Sequence, residues 1–189
     1  MTDLFPPFLL FIAGALLLPL IPNGHPRSLA AVIVPVISAY FIWMMPEGMH
    51  GQFTLAGLDL TLLRVDKLST IFGLIFSLAA FLALIYAWHV RDTIQQTTSL
   101  LYAGAAIGAV FAGDLISLFI FWEGTAIASV FLIWARRTEG AYWTGLRYLI
   151  VQVGSGVVLL AGVVLHYNDT GSIAFEAITL GSPATWFIF

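Results

Sequence analysis

Apolar runs long enough to cross a lipid bilayer recur along almost the whole chain, and most end at proline, glycine or charged residues. A hydrocarbon layer about 30 Å thick takes roughly 20 residues of helix, and each such segment has to satisfy its own backbone N–H and C=O groups. Six segments meet that length or nearly so: Leu4 to Ile21, Ser28 to Met45, Leu68 to Trp88, Thr97 to Ala112, Leu115 to Ala135 and Trp143 to Leu165. The sequence therefore predicts an all-α integral membrane protein of about six transmembrane helices, one membrane domain over residues 1–189. Composition agrees, since 60% hydrophobic and 9% charged residues leave too little charge to clothe a water-facing globule. The first segment opens Met1-Thr2-Asp3 without a basic n-region and reads as a retained helix, not a cleaved signal.

Several function classes fall away. A net charge of -3 with no large basic cluster leaves little to neutralise a row of phosphates, so nucleic acid is not a partner. The chain has no cysteine, which removes disulfides, thiol catalysis and thiolate-held iron–sulfur clusters. His25, His50, His89 and His166 lie far apart, in predicted loops or at helix ends, so they form no shared metal site. No cofactor is expected.

Arginine placement orients the bundle. Arg27, Arg91, Arg136, Arg137 and Arg147 belong to the first, third and fifth connections or the adjoining helix ends, whereas only Arg64 and Lys67 fall on the other side. The positive-inside rule then puts the odd connections in the cytoplasm and the connection from Pro46 to Lys67 outside. In that long connection Phe53 and Leu55, then Leu58, Leu60 and Leu62, alternate with other residues around Ala56-Gly57, as in a short external β-hairpin. A lone two-stranded ribbon is marginal, so it should pack on its own helix ends or on a neighbouring subunit. Beyond Tyr167 the run Asn168-Asp169-Thr170-Gly171-Ser172 reads as a turn, and Gly181-Ser182-Pro183 as a second break. A seventh apolar stretch only begins at Thr185-Trp186-Phe187-Ile188-Phe189, which suggests an interrupted protein or a split one.

Within this apolar frame Glu123 stands out. A helix rising about 1.5 Å per residue from Asp114 carries it roughly 13 Å into the hydrocarbon layer, near mid-depth. An ionisable group there is costly and by default marks a proton or ion relay; the alternative is a carboxyl that only bonds a neighbouring helix. Burial and a nearby cation act on such a group in opposite directions, so a carboxyl poised between them can load and release a proton. Gln152 shares a helix face with Tyr148, Ser155 and Gly156, where it could line a path or simply bond a neighbouring helix. Arg147 could line a proton entrance or snorkel to the interface. Asp66 and Asp114 each precede a helix and read as caps ahead of a conducting role, and Gly104-Ala105-Ala106-Ile107-Gly108 as a packing seam ahead of an ion pathway.

Three stretches carry a resemblance: Val65-Asp66-Lys67-Leu68-Ser69, Gly113-Asp114-Leu115-Ile116-Ser117-Leu118-Phe119 leading to Trp122-Glu123, and Arg147-Tyr148-Leu149 leading to Gly154-Ser155. From about Asp66 onward the chain resembles the N-terminal part of the proton-translocating antiporter-like subunits. That family includes the D subunit of Mrp-type sodium/proton antiporters and the large membrane subunits of complex I and related hydrogenases. The resemblance implies that Glu123 carries protons and pairs with a lysine on a broken seventh helix, which has no match here. Lys67, the only lysine, sits at the external end of the third span. It also implies other membrane subunits as partners, one of them supplying the missing helices, with protons and sodium as the transported ions, in the cell membrane. An Mrp-type D subunit is the first expectation, a complex I-type or membrane hydrogenase subunit the second, and a structural subunit without a conducting role the third.

The orientation is testable. A cysteine placed at Gln52 should react with a membrane-impermeant reagent from outside, and one at Thr138 only after permeabilisation. The reverse pattern overturns the assigned orientation.

Overall fold

The computed structural model describes residues 5–55, 57–175 and 183–188. Met1 to Leu4, Ala56, Gly181-Ser182 and Phe189, which entered the expectations above, lie outside the described residues. Six helices stand where apolar runs occur: α1 (Pro7–Leu17), α2 (His25–Met44), α3 (Lys67–Tyr86), α4 (Thr93–Phe111), α5 (Leu115–Trp134) and α6 (Glu139–Thr170). A short 3₁₀ turn, Leu18–Leu20, follows α1, and a four-residue helix α7 spans Thr185–Ile188. Strands β1 (Gly48–Leu55) and β2 (Leu58–Val65) form the antiparallel hairpin, from Gly48 opposite Val65 to Leu55 opposite Leu58. By length and apolarity, α2, α3 with its 3₁₀ end (Ala87–His89), α5 and α6 are each able to cross a bilayer.

Several boundaries differ from the sequence reading by a few residues, and capping explains two of them. The fourth helix starts at Thr93, not Thr97, because the Asp92 carboxylate accepts from the Ile94 and Gln95 backbone N–H groups. The sixth helix continues through Asn168-Asp169-Thr170 instead of turning there. It ends at Gly171, whose left-handed backbone (φ 71°) lets its N–H reach the Tyr167 carbonyl at 2.7 Å. At 32 residues α6 is about 48 Å long, more than the hydrocarbon thickness, so its ends reach past the apolar layer.

Packing is inverted relative to a water-soluble bundle. Leu29, Ile33 and Val36 of α2, Leu68, Ile71 and Ile75 of α3, and Ile150, Val151 and Val157 of α6 are exposed, while Ser38, Ser77, Gln96, Thr98 and Ser117 are buried. Large apolar groups turned outward need an apolar surround, which a bilayer supplies. Helix α4 takes the centre, with Leu100, Ile107 and Phe111 packed among residues from α1, α2, α3 and β2. The expected small-residue seam does pack: a methyl on Gly104 would meet the Phe11 side chain at 2.7 Å, and one on Gly108 would overlap the Phe121 ring.

The hairpin packs on its own helix ends. Leu60, Leu63 and Val65 of β2 are buried, while β1 is exposed along nearly its whole length. At the corner between α4 and α5, Gly113 N–H donates to the Thr61 carbonyl (2.9 Å) and Thr61 N–H donates to Asp114 Oδ2 (2.7 Å). Asp114, 2% exposed, also accepts from the Ser117 backbone N–H and hydroxyl, both at 2.7 Å. Leu115 N–H then reaches the Ile173 carbonyl beyond α6 at 3.0 Å. One carboxylate thus caps α5 and fastens the hairpin. Asp66 caps α3 in the expected way, accepting from Ser69 N–H while the Ser69 hydroxyl accepts from the Asp66 backbone N–H.

Asp114→Ala leaves two backbone donors and a hydroxyl without their acceptor, at a cost of about 2 kcal/mol or more. A lower thermal unfolding midpoint of the purified protein, with Asp114→Asn milder, is the expected result; an unchanged midpoint excludes it. At Asp66 the Ser69 backbone N–H, outweighing partial burial and aided by Arg64, holds the carboxyl below its ordinary 3.8. Its cap is therefore fully present above that value and lost as pH falls through the lower folded value. Stability followed by acid titration should accordingly lose a component in Asp66→Asn only above that window.

Candidate functional site

Helices α5 and α6 run antiparallel, joined by the short Ala135-to-Thr138 turn, and three side-chain contacts record their register. Near the turn, Trp134 Nε1 donates to the Tyr142 carbonyl at 3.2 Å, and the indole fills the space a side chain on Gly145 would need. Further along, the Ser129 hydroxyl lies 2.9 Å from the Tyr148 hydroxyl. At the third level Glu123 of α5 meets Gly156 of α6, so closely that a Cβ on Gly156 would overlap Oε1 and lie 2.7 Å from the carboxyl carbon. Each step back along α5 is matched by a similar step forward along α6, as in a regular antiparallel pair.

Glu123 is half-buried, and its Oε1 is shielded from solvent without a hydrogen-bond partner among the described residues. The other neighbour of α5 at this level is α4, close enough that a methyl on Gly124 would stand 3.3 Å from the Ala105 side chain. Asp114 pins the helix nine residues before Glu123, which fixes the height of the carboxyl, about 13 Å along the axis. At the far end Arg137 pairs with Asp92 at 2.6 Å, joining the α5–α6 turn to the start of α4.

Of the other residues singled out in the sequence, Gln152 sits one turn before Gly156 on α6, half-buried, and makes no side-chain hydrogen bond to a described residue. Arg147 lies nine residues before Gly156, about 13 Å along the axis, and is exposed with no ion pair to a described residue. The structure therefore brings Glu123 to the Gly156 face, within a turn of Gln152, but not to Arg147. Lys67 is exposed at the first position of α3, at the hairpin end.

Two polar features went unnominated in the sequence. Arg27, counted there only as a topology charge, is 5% exposed. It donates to the carbonyls of Ile21 (Nε, 2.9 Å) and Pro19 and to Asn23 Oδ1 and Thr93 Oγ1, fastening the α1–α2 turn to the start of α4. Gln96 is 6% exposed and donates to Val90 O at 2.9 Å and Ser28 Oγ at 3.2 Å, beside an 80 Å³ cavity that Gln95 and Ser99 also line. The run Gln95-Gln96-Thr97-Thr98-Ser99 was the available signal, since five polar residues open an otherwise apolar helix. Neither feature touches Glu123.

Residues 112–187 match the family model described as NADH:quinone oxidoreductase/Mrp antiporter, TM. A relative from Staphylococcus epidermidis, "Putative antiporter subunit mnhA2", is 33% identical over 157 residues, covering 75% of this chain and 20% of that protein. Its counterpart from Staphylococcus saprophyticus is 30% identical over 170 residues, 82% of this chain and 21% of that protein. The chain thus spans about a fifth of the length of these curated relatives. The fold matches a chain of the Mrp complex from Dietzia sp. DQ12-45-1b (TM-score 0.80, 23% identity, 89% of this chain and 20% of that one). It equally matches chains of an archaeal membrane-bound sulfane sulfur reductase (TM-score 0.80, 22% identity, 92% and 29%) and of respiratory complex I from Thermus thermophilus (0.79, 22%, 96% and 40%). The match of residues 112–187 and the relatives aligned over most of the chain support its membership of the antiporter-like membrane subunit family that Mrp antiporters and NADH:quinone oxidoreductases share.

Proposed function

We propose that the chain forms part of a subunit of a cation/proton antiporter complex in the cell membrane, with Glu123 as its proton carrier. One observation carries this reading: a carboxyl near mid-depth of the apolar layer whose Oε1 is buried without a partner among the described residues, facing bare helix backbone. A carboxyl used only to tie two helices together would have its oxygens bonded across the interface. Glu123 can instead take a proton, hold it away from bulk water and hand it on. Gln152, one turn away and free of other bonds to described residues, is a candidate for the next polar group or for the water beside it. Arg147, farther toward the cytoplasmic end, is a candidate for the entrance only. Completing the path takes a second titratable group, which the family resemblance assigns to a lysine outside this sequence. Other membrane subunits as partners follow from the multisubunit complexes whose chains share the fold, and sodium is the proposed counter-ion.

The Staphylococcus relatives are named mnhA2, so the D-type assignment is a finer reading that rests on overall likeness. The second reading, a proton-pumping subunit of a complex I-type assembly, is favoured by an equally good fold match to the Thermus thermophilus chain. Redox subunits co-purifying with the native complex would decide for it.

Glu123→Gln keeps shape and much of the hydrogen bonding but cannot carry a proton. In vesicles loaded with a pH-sensitive dye, the assembled variant should lose cation-coupled proton transport by about tenfold or more, while Glu123→Asp retains part of it. A glutamine variant that assembles and transports normally makes Glu123 structural and sinks the proposal.

A further inference from the structure

We propose that Gly156 is a positioning residue for the proton carrier: the side chain it lacks leaves the seat that the Glu123 carboxyl occupies. The inference rests on the reading of Glu123 given above.

Gly156 is buried while Gly154, Ser155 and Val157 around it are exposed, so it marks the line along which α6 touches α5. Its absent Cβ position is filled by Glu123 Oε1, with the carboxyl carbon 2.7 Å away and Oε2 at 3.4 Å. Other tightly packed glycines face different groups: Gly108 an aromatic ring, Gly145 an indole, Gly113 a threonine. Among the described glycines, Gly156 alone has a carboxylate in that place.

The kind of atom it meets decides what a methyl there would do. Glu123 presents the free end of a flexible side chain, so Gly156→Ala moves the carboxyl rather than the helices. Carbon and oxygen atoms rest in contact at about 3.3 Å or more, so the displacement is roughly 1.5 Å. A misplacement of about 1 Å in a reacting group can cost on the order of 100-fold in rate. Alanine is also the better helix former, so backbone propensity does not oppose the variant.

Aspartate at position 123 is shorter by one methylene, a retraction of about the same size as that displacement. It withdraws from the space that a methyl at position 156 would fill, so the two substitutions should interact. The experiment is a double-mutant cycle in the assembled complex, read as cation-driven proton transport in vesicles with assembly measured separately. Gly156→Ala should lower transport by about tenfold or more on the Glu123 background and by less than about twofold on the Glu123→Asp background. Gly140→Ala, on the same helix with open space around it, should leave transport unchanged. Normal transport by Gly156→Ala, or an equal loss on both backgrounds, overturns the proposal, since a pure packing role is blind to the length of residue 123.

A second readout does not depend on turnover. Labelling of Glu123 by a hydrophobic carbodiimide, followed by mass spectrometry, should change by about threefold or more in rate in Gly156→Ala and not in Gly140→Ala; an unchanged rate overturns the seat. Normal transport by Glu123→Gln would defeat the proton-carrier reading alone, because the labelling rate still reports whether Gly156 places the carboxyl.

Discussion

A helix in lipid keeps its backbone satisfied internally, but its ends and connections have no such guarantee, and the hydrophobic effect does not draw apolar helices together there. This bundle is therefore held by close approach and by hydrogen bonds at its two ends. At the hairpin end Asp114 bonds Thr61 and Ser117 together; at the other, Arg27 gathers Ile21, Asn23 and Thr93. Both are charged groups almost wholly removed from solvent, and each directs its charge at several polar partners. Between these ends glycines such as Gly104 and Gly108 let helices meet closely around a core that includes Phe11, Leu100, Ile107 and Phe111, while many other leucine, isoleucine and phenylalanine side chains are turned outward.

That arrangement gives Glu123 its meaning. The helix carrying it is fixed in height by the Asp114 cap and in rotation by three contacts to α6, so the carboxyl has a defined place. Its Oε1 is a buried acceptor without a donor among the described residues, set in an apolar span. Such a group costs free energy unless something else supplies its partner.

The two structural ends also differ in kind. The hairpin end is closed by backbone pairing and the bonds of one carboxylate. The opposite end holds the Arg137–Asp92 pair, the Gln96 cavity and an open depression lined by Gln95, Arg136, Thr138 and Thr144.

The sequence by itself determined the class, the helices and the hairpin, because apolar run length and turn chemistry are local properties that lipid thickness makes decisive. It singled out Glu123 for the same reason, since one carboxylate in an apolar run needs no neighbour to be noticed. Caps set the finer limits: Asp92 and Gly171 extend α4 and α6 past where hydropathy alone ended them. Tertiary structure alone decided that Asp114 serves the hairpin as well as its helix, because Thr61 is 53 residues away. It decided, too, that Arg27 is an internal fastener reaching Thr93, not merely a topology charge. And it placed Gly156, a residue with no side chain to attract notice in a sequence, against the carboxyl. A glycine acts through the space it leaves, and only the neighbouring helix shows what fills that space.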